Sequence, residues 1–205
     1  PSGAGPADKA RMHDRRPPSS RWRRLLATAG PALLYGLTAL LAYLLGSAVS
    51  QTVRSPAAEI GAMWAAISGI VVLRDTLGDT WAATRARVVG TFVGAATAAL
   101  YLAFWPVSPI GLGLCIALTV LACRGAGIAD GGRLAAITAI VVMVISTLDP
   151  RLNPFVNAAL RFVEACFGTA VAMLLTRTGM LLAGLRRRPA DGAGKAAGRR
   201  APQDE

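Results

Sequence analysis

Two long stretches of the chain carry no charged side chain. Residues 25–53 are uncharged over 29 positions, and residues 88–123 are uncharged over 36 positions. A helix that crosses the hydrocarbon layer of a bilayer needs about 20 apolar residues. A soluble domain of this size cannot bury helices that are apolar on every face. These stretches therefore predict membrane helices rather than a soluble core.

The positive charge of the chain lies mostly outside its apolar middle. The formal net charge is +11 over 205 residues, but residues 25–184 hold nine arginines, six acids and no lysine. A soluble nucleic-acid binder is therefore not the default interpretation. Proline, glycine and alanine are frequent in residues 1–24 and 185–205, which predicts two disordered basic tails. We expect these tails to contact anionic lipid of the inner leaflet, and we expect no nucleic-acid partner.

Six membrane spans fit the apolar pattern best. The uncharged run at 88–123 is broken by Trp105-Pro106-Val107-Ser108-Pro109, which predicts a tight turn with an interfacial tryptophan. The predicted spans, which together form a transmembrane domain over 25–184, are 25–50, 57–73, 86–104, 109–123, 133–148 and 155–183. The second, fourth and fifth are short, so four or five complete crossings remain an alternative.

The first span and the basic residues predict the orientation. The apolar stretch that begins at Leu25 is longer than the core of a secretory signal, so it is interpreted as an uncleaved span. With six spans, both termini lie on one side, and most lysines and arginines fall on that side. The positive-inside rule then predicts a multi-pass protein of the plasma membrane with cytoplasmic termini.

The apolar middle contains an internal repeat. Six of the ten residues in Trp64–Leu73 are identical to Leu134–Met143, 70 positions later. Beyond them the offset becomes 74, and the matched pairs are Asp79 with Asn153, Arg87 with Arg161, and Gly94 with Gly168. Asp79 and Asn153 are suited to cap helices.

Two copies, 25–104 and 109–184, would each hold three spans. Because three is odd, two such copies must cross the membrane in opposite directions. The sequence therefore predicts an all-α membrane protein of two inverted three-helix repeats, the architecture of many secondary transporters. A duplicated bundle without a transport path is the alternative.

Small residues and arginines share one helix face in each copy. Arg87, Gly90 and Gly94 are spaced i, i+3, i+7, and Thr91 lies beside them. Glycines at this spacing allow close approach of a neighbouring helix, so Gly90, Thr91, Gly94 and, in the second copy, Gly168 are predicted to pack helices.

Arg161 and Glu164 are spaced to pair at i, i+3. An ionisable pair inside a span is a candidate functional site, and the alternative is an interfacial arginine that snorkels with Glu164 as its counter-ion. We hypothesise that Arg87 and Arg161 attract an organic anion at the two mouths of a path. Trp64 lies inside its span and faces either packing or a solute.

No pattern typical of an enzyme is present. The single histidine, His13, lies in a tail, the three cysteines lie in apolar runs, and no residues have metal-ligand or phosphate-loop spacing. We therefore expect no enzyme activity, no cofactor and no metal.

The motifs in the first copy resemble those of a known family. Trp64-Ala65-Ala66-Ile67-Ser68, Leu77-Gly78-Asp79-Thr80 and Arg85-Ala86-Arg87-Val88-Val89-Gly90-Thr91-Phe92-Val93-Gly94-Ala95 are similar to the fusaric acid resistance and aromatic acid exporter group, with its integral membrane bound transporter domain. The hallmark Arg-x-x-Gly-Thr-x-x-Gly matches Arg87, Gly90, Thr91 and Gly94. Arg161, Glu164 and Gly168 match the Arg…Glu…Gly variant of the second copy.

The resemblance covers roughly residues 25–180. It implies a six-helix transmembrane domain, a homodimer, and export of aromatic or other organic acids. A channel for organic anions and a non-transporting membrane module that assembles with a partner are the alternatives.

Overall fold

The fold is that of a computed structural model, which describes residues 18–52, 58–128 and 131–197. The chain divides into two compact units, residues 1–36 and residues 37–205. The described residues form helices and no strand, and the helices are α1 Pro18–Thr52, α2 Ala58–Val72, α3 Leu77–Phe104, α4 Pro109–Gly125, α5 Gly131–Leu148 and α6 Pro154–Ala197.

Each predicted span corresponds to one of these helices. The all-α class is confirmed for the described residues, and the turn expected after α3 occupies Trp105–Ser108. The third helix begins at Leu77 rather than at residue 86, because a capped turn precedes the apolar run. The first and last helices extend into the predicted tails, to Pro18 and to Ala197. The rest of both tails lies outside the described residues.

Side chains that precede the helices explain where several of them begin. The hydroxyl of Thr76 accepts a hydrogen bond from the backbone N–H of Asp79 at 3.1 Å and donates one to its carboxylate at 2.6 Å. The cap of α3 is therefore Thr76, and the prediction that Asp79 is the cap was wrong, because Asp79 lies at the third helical position. At α6, Asn153 accepts a hydrogen bond from the backbone N–H of Phe155 at 2.9 Å, as a capping residue does.

Four helices are long and apolar enough to cross a membrane: Ala29–Val49, Leu77–Phe104, Gly131–Leu148 and Pro154–Leu182. Glu59–Val72 and Pro109–Gly125 are apolar but shorter. Large apolar side chains are exposed along the helices, with Leu33, Ile110 and Phe104 each more than two thirds exposed. Such surfaces are suited to a lipid environment.

Within residues 37–205, α3 and α6 are the central helices. Helix α3 packs against α5 and α6, and α6 packs against α2 and α3. A core of small residues lies where α3, α4, α5 and α6 meet, built from Ala95, Ala98, Ala99, Cys115, Ala139, Val142, Met143 and Ala158. Because these side chains are mostly small, the backbones approach closely, as in membrane helix bundles.

Candidate functional site

Three charged side chains are fully buried in the described part of the chain. Arg87 on α3 is 1% exposed, and Arg161 and Glu164 on α6 are each 0% exposed. Burying a charge without a partner is costly, in protein or in lipid. These residues therefore define the candidate site, and the sequence had selected all three.

Arg87 is held by two side chains of α2. Its Nη2 donates a hydrogen bond to the hydroxyl of Ser68 at 3.0 Å, and its Nε lies 3.3 Å from the same oxygen. Ser68 itself donates to the carbonyl of Trp64 at 2.8 Å, so its lone pairs face the guanidinium. The Arg87 guanidinium lies over the Trp64 ring, 4.6 Å from its centroid. A hydroxyl and an aromatic face orient the cation but leave its charge unneutralised.

Arg161 forms an ion pair with Glu164. Its Nη1 lies 2.9 Å from Oε2 of Glu164, without the directionality of a hydrogen bond. Its Nε and Nη2, which form one edge of the guanidinium, have no hydrogen-bond partner. The side chain of Arg161 is completely buried in the helix bundle, and Glu164 is its counter-ion, as the alternative expected.

Helices α3 and α6 run antiparallel. The rings of Phe92 and Phe162 are 5.7 Å apart. Both rings line an open apolar groove of about 440 Å³ along the two helices, which continues to Leu100 on α3 and to Phe155 on α6. Residue numbers thus rise along α3 while they fall along α6.

This register places the site at the middle of α3. Gly90 precedes Phe92 by two residues on α3, and Glu164 follows Phe162 by two residues on α6. Because the helices are antiparallel, Gly90 and Glu164 lie at the same height along the helix axes. Arg87 and Arg161 lie three residues from that level, on opposite sides of it, so about 9 Å separates them along the helix axes. The expectation that they sit at the two mouths of a path differs from this geometry, in which both lie near the centre of the α3–α6 pair.

The predicted packing glycines make close backbone contacts between helices. A Cβ at Gly94 would collide with the carbonyl of Ala135 on α5, and one at Gly168 would collide with the carbonyl of Ala65 on α2. Ala65 and Ala135 are 70 positions apart, and Gly94 and Gly168 are 74 apart, so the two contacts join equivalent positions of the two copies. Each predicted copy thus packs its glycine helix against a helix of the other.

The first of these interfaces continues along α3. A Cβ at Gly90 would lie 2.8 Å from the carbonyl oxygen of Gly131. Thr91 is completely buried, and its hydroxyl has no hydrogen-bond partner. Gly90, Gly94 and Thr91 therefore lie inside the bundle, on the face of α3 that also carries Arg87.

Two polar residues of this region were missed from the sequence. Ser68 is the hydrogen-bond partner of Arg87, and its signal was its place in the repeat, opposite Thr138. Asn157, one helical turn before Arg161, donates hydrogen bonds to the carbonyl of Val142 at 2.9 Å and to the hydroxyl of Ser146 at 3.1 Å. A buried asparagine in an apolar helix was the available signal there. In the part of the chain that the structure describes, no group of histidine, cysteine, aspartate and glutamate side chains is arranged to hold a metal ion.

The long apolar helices of the described residues, four of which are able to cross a membrane by length and composition, indicate an integral membrane protein. The model of the fusaric acid resistance protein-like family matches residues 37–175, about two thirds of the chain. The chain belongs to this family, as its motifs predicted. No curated protein and no solved structure matches it.

Proposed function

We propose that this protein transports small organic anions across the plasma membrane, and that Arg87 binds the anion. The observation that carries the proposal is the charge of the interior. Among the described residues, two guanidinium groups and one carboxylate are fully buried. With these groups ionised the interior has a net charge of +1, which an anionic solute would neutralise.

Arg87 is the better anion ligand of the two arginines. The described contacts of its guanidinium are a hydroxyl and an aromatic ring, and neither is charged. Guanidinium binds carboxylate through two parallel hydrogen bonds, and such charge-assisted bonds are strong where water is excluded. The carboxylate of an organic acid therefore supplies the charge that the Arg87 environment lacks.

The predicted inverted repeat of six spans would place a path at this position. Helices α3 and α6 carry equivalent motifs and run antiparallel, and their glycines contact equivalent carbonyls of the opposite copy. A pseudo-two-fold axis between Gly90 and Glu164 would account for all three observations. Transporters built from inverted repeats bind their substrates near the repeat interface, at the middle of the bilayer.

The orientation and assembly complete the proposal. The excess of lysine and arginine near both termini favours cytoplasmic termini and contact with the anionic inner leaflet. A homodimer, which the family resemblance implies, would place two such paths side by side.

A flux screen on purified protein tests the proposal. Reconstituted vesicles would be loaded with aromatic and aliphatic carboxylates in turn, and efflux would be measured with and without a pH gradient. We expect carboxylate flux that Arg87→Gln reduces about tenfold or more, because a charge-assisted hydrogen bond contributes about 1.5 to 3 kcal/mol. Arg87→Lys keeps the positive charge but lacks the planar guanidinium that donates two parallel hydrogen bonds, so this variant should retain part of the flux.

Arg85 provides the matched control. It is two residues away on the same helix but exposed, so Arg85→Gln should leave flux unchanged at equal protein content. Flux that survives Arg87→Gln would overturn the role of Arg87. Absence of flux for every carboxylate in the wild-type protein would favour a non-transporting membrane module. Flux at rates typical of channels, independent of any gradient coupling, would identify an organic-anion channel.

A further inference from the structure

The two copies differ at the residue that faces their shared centre. Position 90 is glycine in the first copy, and its equivalent in the second copy is Glu164. The Glu164 carboxylate lies 2.9 Å from Arg161, whereas none of the described contacts of Arg87 is with a carboxylate. One arginine of the pair is therefore neutralised from within the protein, and the other is not.

We propose that Glu164 is a proton-dependent charge gate that sets the affinity of Arg161 for the transported anion. The inference rests on the proposed function. While Glu164 is ionised, its charge cancels that of Arg161 and the anion is held mainly by Arg87. When Glu164 takes up a proton, the charge of Arg161 is no longer neutralised. The site then has two cations available to the anion, about 9 Å apart along the helix axes.

The geometry of Arg161 suits this role. Its Nε and Nη2 edge carries no hydrogen bond although the side chain is completely buried. Two donors on one edge match the two oxygens of a carboxylate. Binding of an anion by this edge does not require the displacement of Glu164, and the negative charge of Glu164 opposes that binding.

Two arginines share the interior of the described part of the chain with Glu164. Helix α6 contributes Arg161 and α3 contributes Arg87, and these are the other buried charged side chains of the described residues. Glu59 on α2 and Arg133 on α5 are exposed, and α1 has no charged residue between Leu25 and Val53. Glu164 is thus the buried acid whose protonation changes the charge of the site.

The sign of the pH effect follows from this arrangement. Protonation of Glu164 raises the interior charge from +1 to +2, so the anion and the proton favour each other's binding. Acidification should therefore lower the KM for an anion. The reciprocal effect is required by thermodynamic linkage, and the anion should promote proton uptake by Glu164.

The test measures benzoate uptake by the full-length protein in proteoliposomes, with KM expressed as the concentration of the benzoate anion. For the wild type, KM should fall as the pH is lowered and Glu164 takes up its proton. Glu164→Gln removes the charge permanently, so its KM at alkaline pH should be about tenfold lower and should no longer vary with pH. Glu164→Asp keeps the carboxylate and should keep the pH dependence.

The outcomes separate this inference from the proposed function. If Arg87→Gln abolishes uptake while Glu164→Gln leaves KM and its pH profile as in the wild type, the charge gate is wrong and anion transport stands. If wild-type protein takes up no carboxylate, the proposed function itself fails. If Glu164→Gln does not fold, a wild-type KM that does not change with pH would still overturn the gate.

Discussion

The Ser68 hydroxyl accepts a hydrogen bond from the buried guanidinium of Arg87. We therefore expect this small side chain to contribute measurably to the free energy of unfolding. Ser68→Ala would leave Arg87 without its described hydrogen-bond acceptor. We expect the free energy of unfolding to fall by about 1 to 3 kcal/mol, the cost of leaving a buried polar group unsatisfied. Unfolding in a mixed detergent titration measures the change.

Ser47→Ala is the matched control for this prediction. The Ser47 hydroxyl donates to the carbonyl of Leu44 in its own helix and is exposed, so its loss should change stability little. A double-mutant cycle sharpens the result, because Ser68→Ala should cost much less when Arg87 is already glutamine. Equal costs in both backgrounds would show that Ser68 does not act through Arg87.

The charged residues of the candidate site could be predicted from the sequence, but the uncharged residues that contact them could not. Arg87, Arg161 and Glu164 are conspicuous because charge is rare within apolar spans. Ser68 is not conspicuous, since serine is common in membrane helices and usually bonds to its own backbone. Which serine meets an arginine depends on how α2 and α3 pack, and one chain's pattern does not specify that.

At the level of helices, the glycine contacts make a paired prediction. Gly94→Ala and Gly168→Ala each place a methyl group against a backbone carbonyl of a neighbouring helix, and backbone cannot move aside cheaply. We expect each substitution to lower the free energy of unfolding by about 1 to 3 kcal/mol. The two effects should be similar, since the contacts join equivalent positions.

Gly113→Ala serves as the control on α4. Nothing lies within 4 Å of the Cβ that it would add, so the change should be neutral or stabilising by up to about 1 kcal/mol. A similar loss of stability for all three substitutions would mean that the close contacts at Gly94 and Gly168 contribute nothing specific. The same detergent titration measures all three.

The positions of the helices were predictable, because apolar runs and turn residues delimit them. The capping residue of α3 was not predictable in the same way. Thr76 and Asp79 are both good capping residues, and their spacing fits a reciprocal pair. The repeat alignment favoured Asp79 because Asn153 occupies the equivalent position. The two copies begin their helices differently, so the alignment transferred a cap that only the second copy uses.

At the scale of the molecule, the contacts of Gly94 and Gly168 join helices of the two predicted copies within residues 37–205. Helix α3 of the first copy packs on α5 of the second, and α6 of the second packs on α2 of the first. The sequence showed which positions are equivalent, but a repeat does not reveal whether each copy packs on itself or on the other. The small residues that permit close approach are the same in both cases.

The number of crossings is the property of the whole molecule that helix length leaves open. Helices α2 and α4 have 15 and 17 residues, so they are about 22 to 26 Å long against a hydrocarbon layer of about 30 Å. The loops on either side of α3 distinguish six crossings from four, because the side of the membrane on which they lie depends on whether α2 crosses. Six crossings place residue 75 on the cytoplasmic side and residue 106 outside.

Cysteine labelling with a membrane-impermeant maleimide checks this prediction. In a background in which the native cysteines are alanine, Asp75→Cys and Ala126→Cys should react only from the cytoplasmic side, and Pro106→Cys and Arg151→Cys only from outside. If α2 and α4 do not cross, residues 75 and 106 exchange sides while 126 and 151 keep theirs. That second pattern would exclude two opposed three-span copies, because an inverted repeat requires each copy to cross the membrane an odd number of times.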